Sequence, residues 1–275
     1  MMTLRRTVLV LPLLLLAMLA AACQPSTNLH YTSNGNFSGS TYAPGWDRFN
    51  LADVSSVGMV NSLPSGVEGL VYIGQCGGVT PSFTNAVQPF LGNARVFGFY
   101  LMDEPDPTGR YSAPCPPANL KAESDYIHYF FGSAKTFIIE MNLGASSAPT
   151  YAGGYTPGNS DIDLYGLDPY PCRSELNGCN DNIINLAVKA AESAGIPEAD
   201  IVPVYQAFGG GYFTDDGGGQ WILPTATQET AILNTWGSLV PTPVFDYAYS
   251  WGSQRYDQSL QGSTSLQQVF ASHNS

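Results

Sequence analysis

The chain has 275 residues, of which 22 are acidic and 10 are basic, and its formal net charge is −12. Such an acidic protein is poorly suited to binding nucleic acids or anionic membranes, because both attract positive charge. The length is sufficient for one large domain with a substantial hydrophobic core.

The N-terminal residues are typical of an export signal. Arg5 and Arg6 precede a short apolar run, and three alanines then precede Cys23. We predict a signal peptide over residues 1–22, since the apolar run is short for a transmembrane helix. Small residues directly before a cysteine also resemble the lipobox of bacterial lipoproteins, in which that cysteine is lipidated. The protein is therefore expected to be secreted, or to be a cell-surface lipoprotein that contacts the membrane only through Cys23.

In the rest of the chain, apolar segments of strand length alternate with segments of helix length. Residues 23–44 are polar and are predicted to form a flexible linker, and residues 45–275 a single domain. The predicted strands are 49–54, 69–74, 95–102, 136–141, 161–167, 200–207 and 244–251. The predicted helices are 82–91, 120–133, 182–194, 227–239 and 260–273.

Repeated units of a strand followed by a helix predict a parallel sheet wrapped by helices. Seven strands are visible and an eighth is expected within residues 29–42. This favours an α/β fold with a single (β/α)8 barrel of the TIM type, whose first strand is irregular or missing. An open doubly wound sheet is the alternative, but no glycine-rich dinucleotide motif follows the first strand. No cofactor is predicted.

Four cysteines remain after Cys23, and an even number in an exported chain predicts two disulfides. Cys172 and Cys179 lie in one loop and are predicted to pair with each other. Cys76 would then pair with Cys115, on either side of the strand at 95–102. The cysteines lack CxxC spacing and nearby histidines, so no metal site is expected.

In a barrel of this kind, functional residues lie at the C-terminal ends of the strands. The longest loop, residues 208–221, is expected to overhang this end. Polar and aromatic residues gather at the predicted strand ends: Asp53, Gln75, Asp103, Glu104, Glu140, Asn142, Asp168, Tyr170, Gln206 and Trp251.

The segment GFYLMDEPDP, residues 98–107, ends an apolar strand with two adjacent carboxylates. Because neighbouring residues of a strand point to opposite faces, Glu104 is predicted to share the inward face with Tyr100. Asp103 would then face the helices. Pro105 is expected to keep Glu104 extended at the strand tip. Glu104 is the predicted general acid, with a pKa raised by its apolar neighbours.

Two further acids are candidates for the second carboxylate. Alternation along TFIIEMN, residues 136–142, points Glu140 and Asn142 inward. Asp168, which precedes a proline, ends the following strand. Alternatively, Glu140 pairs with an arginine and Asp168 caps a loop turn.

Other hydrolytic chemistries lack their motifs. The sequence contains no HExxH, GxSxG or GxxxxGK[ST], and its histidines at 30, 128 and 273 lie far apart. Paired carboxylates in an exported barrel favour cleavage of a glycosidic bond.

These residues resemble the TIM-barrel glycoside hydrolases of clan A. In that clan a strand ends in Asn-Glu-Pro, and Asp103-Glu104-Pro105 is similar. The resemblance implies that Glu104 is the acid/base. VPVYQAFGGG is similar to the strand that carries the clan's nucleophilic glutamate, with Gln206 at its position, and YAYSWG is similar to the last strand, which implies that Trp251 stacks on a sugar. The chain also resembles exported proteins of high-GC bacteria.

An amide such as Gln206 is a poor nucleophile, so the second group must come from elsewhere. In one reading, Glu140 or Asp168 is the base or nucleophile. In the other, the adjacent pair Asp103-Glu104 resembles that of the hexosaminidases that use substrate assistance. There the glutamate is the acid and the aspartate orients the substrate's own acetamido group. The alternation of the strand disfavours this second reading, because it turns Asp103 outward.

The predicted function is that of an exported glycoside hydrolase acting on a poly- or oligosaccharide. The alternative is a non-catalytic, glycan-binding surface lipoprotein on a degenerate hydrolase barrel. The residues expected to bind the saccharide are Asp53, Tyr100, Asp103, Asn142, Tyr165, Tyr170, Gln206 and Trp251.

Overall fold

A closed barrel of eight parallel strands lies at the centre of the molecule. This computed structural model describes residues 28–176, 178–212 and 219–275. Neighbouring strands follow one another in chain order, and β1 pairs with both β2 and β8 to close the sheet. The barrel strands are β1 (Leu29–Thr32), β2 (Leu51–Val54), β3 (Glu68–Tyr72), β4 (Val96–Met102), β5 (Lys135–Ile139), β6 (Leu164–Leu167), β7 (Ile201–Gln206) and β8 (Phe245–Tyr249).

Helices surround this barrel and occupy most connections between its strands. The α-helices are α1 (Val57–Ser62), α2 (Pro81–Val87), α3 (Pro117–Phe131), α4 (Pro157–Ser160), α5 (Asn182–Ala194), α6 (Ala226–Leu239) and α7 (Thr264–His273). Short 3-10 helices lie at Pro44–Asp47, Gln88–Phe90, Ser174–Leu176, Glu198–Asp200 and Leu260–Gly262. The fold is thus the predicted α/β barrel, and each of the seven predicted strands is confirmed.

The prediction that residues 23–44 form a flexible linker is wrong for the part that the structure describes. Leu29–Thr32 is the first barrel strand, and its register pairs Leu29 with Phe245 and Tyr31 with Leu51. This strand confirms the eighth strand that was expected within residues 29–42, and the first strand is therefore not missing. Cys23 and the predicted signal peptide lie outside the described residues.

Two apolar layers hold the barrel together. The interior is filled by large side chains from the strands, among them Tyr31, Tyr100, Phe137 and Tyr247. The second layer lies between the barrel and the helices, where outward residues such as Phe99 meet helix residues. Burial of each such side chain contributes roughly 1.5–3 kcal/mol.

Both predicted disulfides are confirmed. Cys76 pairs with Cys115 and Cys172 pairs with Cys179. Disulfides of this kind are typical of proteins that fold outside the reducing cytoplasm. Within the described ranges, every helix is too short or too polar to cross a lipid bilayer.

Glu123 and Glu140 are carboxylic acids buried in the outer layer. Glu123 accepts the Gly78 N–H and Glu140 accepts the Tyr155 N–H, each at 2.9 Å. The second oxygen of each carboxyl group has no hydrogen-bond partner among the described residues. Burial therefore raises the pKa of both groups to about 8.

These acids make stability depend on pH. Their folded pKa lies above the unfolded value, so their contribution is complete below pH 4.5 and is lost as pH rises through 8. Replacing Glu123 by Gln, which keeps the bond from Gly78, should remove its share of this loss. Urea unfolding at pH 5 and pH 9 should then show a decline smaller by on the order of a few kcal/mol than in the wild type.

The exposed Glu192→Gln is the matched control and should leave the wild-type decline unchanged. An unaltered decline in the Glu123→Gln variant would contradict the assignment of a raised pKa to this group.

Candidate active site

A cavity of about 400 Å³ opens at the C-terminal ends of the barrel strands. Asp103 and Glu104 enter it from the end of β4, and Asp168 from the end of β6. Aromatic side chains form much of its wall: Tyr151, Tyr170, Phe208, Trp221, Tyr247 and Tyr249. The ends of strands β4 and β6 therefore bring Asp168 together with the adjacent pair Asp103 and Glu104, which lies more than sixty residues earlier in the sequence.

A bulge in β4 turns Asp103 into the barrel. Tyr100 pairs with Phe137, but the next partner pair is Met102 with Ile138, so one residue of β4 is extra. Such a bulge resets the alternation of faces. The Tyr100 hydroxyl, inside the barrel, donates to Asp103 Oδ1 at 2.6 Å. The prediction that Asp103 faces the helices is therefore wrong.

The environment of Asp103 pulls its pKa in two directions. Desolvation in the cavity raises the pKa, and the hydrogen bond from Tyr100 lowers it, with the rise prevailing. The side chain is nevertheless reached by solvent from the open side of the cavity. Asp103 can therefore face a ligand while Tyr100 fixes its orientation.

Glu104 lines the cavity and is solvent-exposed. Its φ angle is 41°, in the left-handed region that non-glycine residues rarely adopt. The prediction that Pro105 keeps Glu104 extended is therefore wrong. Residues held in such conformations concentrate at functional sites.

The loop after Glu104 is organised by Asp106. Its buried carboxylate accepts the N–H groups of Thr108, Gly109, Tyr111 and Ser112 at 2.6–3.0 Å. Burial alone would raise the pKa of Asp106, but the Thr108 hydroxyl, which donates at 2.7 Å, and these N–H groups hold the pKa well below its usual range. Glu104 is thus followed directly by a fixed turn.

The pKa of Asp168 is strongly affected by its surroundings. Burial raises its pKa well above the usual value, and the nearby charges of Glu104 and then Asp103 raise it further. Contact with the Tyr170 side chain acts in the opposite direction. The negative charges of Glu104 and Asp103 therefore favour the protonated form of Asp168.

The aromatic wall is centred on Tyr170. Its ring stacks on Tyr249 at a centroid distance of 6.0 Å and meets Phe208 and Trp221 edge-on at 4.9 and 5.5 Å. Arg173 lies over the Trp221 ring at 4.3 Å. Such aromatic faces are suited to the C–H faces of a sugar ring.

Asn142 also lines the cavity, as predicted. Its Oδ1 accepts the N–H groups of Gly144 and Thr150, each at 3.0 Å. These bonds fix the amide and hold the loop after β5 against the cavity.

Glu140 does not reach the cavity. Phe137 and Ile139 point into the barrel and Ile138 points outward, which places Glu140 in the outer layer against Tyr155. The predicted inward orientation of Glu140 is therefore wrong, because the strand has the opposite phase. A carboxyl group that is 1% exposed and faces away from the cavity is unsuited to a catalytic role.

Three predicted saccharide-binding residues are also structural. Gln206 is fully buried and exchanges hydrogen bonds with the Cys172 backbone at 2.8 and 3.0 Å. Tyr165 and Trp251 are buried in the outer layer. Asp53 is close to the barrel interior, where it accepts the Asn34 N–H at 3.1 Å, but it does not line the cavity. Tyr100 does not line the cavity either, but its hydroxyl orients Asp103, which does.

Sequence reasoning missed most of the aromatic wall. Phe208 and Trp221 end the loop that was expected to overhang the site, of which residues 213–218 lie outside the described residues. Tyr249 shares the inward face of β8 with Tyr247. The alternation of FDYAY could have identified this pair, whereas the resemblance of YAYSWG to a last barrel strand indicated Trp251.

Comparison with solved structures shows a fold similar to that of glycoside hydrolase family 18 chitinases. A chitinase from Rhizomucor miehei has a TM-score of 0.54 at 14% identity, over 88% of this chain and 99% of that chain. A chitinase-like agglutinin from Robinia pseudoacacia has a TM-score of 0.54 at 12% identity, over 90% and 99%. A fungal endo-β-N-acetylglucosaminidase of glycosyl hydrolase family 18 has a TM-score of 0.51 at 13% identity, over 88% and 96%.

The sequence itself matches neither a protein-family model nor a curated protein. At these identities the likeness establishes the fold. The sequence prediction of a clan A barrel was thus correct in architecture, and the structural likeness is to family 18.

The electrostatic coupling of the acids can be tested without reference to activity. Replacing Glu104 by Gln removes a negative charge beside Asp168 and should lower the pKa of Asp168. Carboxyl ¹³C NMR titration of the wild type and the variant measures this change. The exposed Glu192→Gln should leave the titration of Asp168 as in the wild type. An Asp168 titration that is identical in all three proteins would refute the coupling.

Proposed function

We propose that this protein is a glycoside hydrolase that cleaves saccharides containing N-acetylhexosamine. The observation that carries the proposal is the meeting of Asp103, Glu104 and Asp168 in one aromatic-lined cavity. Carboxyl groups that differ in pKa are the usual machinery for breaking a glycosidic bond. The likeness of the fold to chitinases and an endo-β-N-acetylglucosaminidase supports this substrate class.

Glu104 is assigned as the general acid. Of the three acids, Glu104 is the one whose backbone lies in the left-handed region. Its side chain lines the open cavity. In this role it protonates the oxygen of the leaving sugar as the glycosidic bond breaks. The resulting carboxylate then takes a proton from a water molecule, whose oxygen bonds to the anomeric carbon as the bond from that carbon to the attacking group breaks.

Substrate assistance supplies the attacking group. Glu140 and Gln206 face away from the cavity, which leaves Asp103 and Asp168 as the acids beside Glu104 among the described lining residues. In the substrate-assisted route the acetamido oxygen bonds to the anomeric carbon while the bond to the leaving sugar breaks. Asp103, turned inward by the bulge, orients the acetamido group, and protonated Asp168 donates a hydrogen bond to it.

A second candidate function is glycan binding without hydrolysis. The chitinase-like agglutinin has the same fold at a TM-score of 0.54, so this barrel is compatible with a lectin. The cavity and its aromatic wall would serve such a protein equally well. Turnover distinguishes the two functions.

We also propose that the protein works outside the cytoplasm, which the two disulfides support. Export through residues 1–22 and lipidation of Cys23 remain predictions from the sequence.

The direct test is hydrolysis of N-acetylglucosamine oligomers by the Glu104→Gln variant. Loss of the general acid should lower kcat by about 10²–10⁴-fold or more, while oligomer binding persists. The exposed Glu192→Gln should keep wild-type turnover, and so should Glu140→Gln if it folds. Fully deacetylated glucosamine oligomers should remain uncleaved, because they lack the attacking acetamido oxygen.

Three results would each contradict one part of this proposal: the hydrolase activity, the general acid or the attacking group. Wild-type binding without turnover favours the lectin, and wild-type turnover in Glu104→Gln overturns the assignment of the acid. Equal cleavage of deacetylated oligomers overturns substrate assistance and points to Asp168 as the base or nucleophile.

A further inference from the structure

Two histidines and an aspartate converge where the barrel closes. His30 and Asp246 are register partners on the adjacent strands β1 and β8. Their neighbours Tyr31, Phe245 and Tyr247 point into the barrel, so this pair points outward. The last helix, α7, covers them and contributes its final residue, His273.

The contacts in this cluster are short. His30 Nδ1 lies 2.9 and 3.0 Å from the two carboxylate oxygens of Asp246. His273 Nε2 lies 2.9 Å from Asp246 Oδ2. His30 is 7% and Asp246 is 3% exposed, whereas the His273 side chain is 27% exposed, so the cluster is shielded from water except at His273.

We propose that His30, Asp246 and His273 form a structural site for one Zn²⁺ ion. Zinc in proteins is bound by imidazole nitrogens and carboxylate oxygens, usually with tetrahedral geometry. One ligand atom from each of the three residues lies within 4.8 Å of the other two. With zinc–ligand bonds of about 2.0–2.1 Å, tetrahedral ligand atoms are about 3.3 Å apart. The two histidine–carboxylate contacts, at 2.9–3.0 Å, therefore need to lengthen by only a few tenths of an ångström. The two imidazole nitrogens, which lie within 4.8 Å of each other, need to move closer together.

A fourth ligand position is also available. The Tyr205 hydroxyl lies 3.4 Å from Asp246 Oδ2 and 3.5 Å from His273 Nε2. Either this hydroxyl or a water molecule would complete the coordination. The charge of the site suits a cation as well, since the buried carboxylate of Asp246 faces two imidazoles that are neutral when they bind metal.

The position of the site indicates that a bound zinc ion would have a structural role. Asp246 and His30 lie in the N-terminal halves of their strands, whereas the candidate active site lies at the C-terminal ends. A zinc ion here would join the first strand, the last strand and the last helix at the closing seam of the barrel. The inference is thus independent of the proposed hydrolysis.

The test uses the full mature chain without a histidine tag. After incubation with ZnCl₂ and removal of unbound metal, elemental analysis should find one zinc per chain. His273→Gln should lose the metal, as should Asp246→Asn where it folds, whereas His128→Ala, at a histidine paired with Asp163, should retain it. Zinc at 100-fold excess over its Kd should raise Tm by about 5–10 °C, and a chelator should reverse this.

Cobalt(II) provides a second readout that does not depend on stability. Substitution should produce the strong visible absorption of a tetrahedral site in the wild type and in His128→Ala. His273→Gln changes the end of the last helix and should fold even if Asp246→Asn does not. Absence of bound zinc in the wild type, or equal zinc in His273→Gln, would show that the cluster is a hydrogen-bonded triad only.

Discussion

One extra residue in β4 determines which acids can act together. Leu101 and Met102 both pack against the outer layer, so the alternation of the strand is reset before Asp103. Without this bulge Asp103 would point towards the helices, and Glu104 would have one acid neighbour fewer. The hydrogen bond from Tyr100 then fixes Asp103 in the cavity. The proposed orientation of a substrate's acetamido group depends on this local irregularity.

Most of the architecture follows from the hydrophobic pattern of the sequence, because a barrel strand needs only a few consecutive apolar residues. The end of β6 was also predictable, since Asp168 and Tyr170 follow an apolar strand directly. Whether a side chain points into the barrel or towards the helices was not predictable. For Asp103 the bulge reversed the face, and for Glu140 the strand phase was assigned wrongly because both faces of β5 are apolar. Alternation carries little information when both faces of a strand are buried.

Contacts that are distant in sequence were the other limit. Gln206 occupies a strand end, yet its amide is used by the backbone of Cys172, which only the folded loop brings near. His30 and His273 lie at opposite ends of the domain and meet only because the barrel closes. Tyr249 lies beside Tyr170 in the cavity wall because β8 and β6 are the two neighbours of β7. Fold was thus readable from local pattern, whereas the membership of each site depended on long-range geometry.

The most direct test of the account is a crystal structure of the Glu104→Gln variant with an N-acetylglucosamine oligomer. We expect a sugar to lie against Tyr170 and Tyr249, with its glycosidic oxygen within hydrogen-bond distance of residue 104. Its acetamido group should point towards Asp103 and Asp168. An oligomer bound outside this cavity, or with its acetamido group directed away from both aspartates, would contradict it.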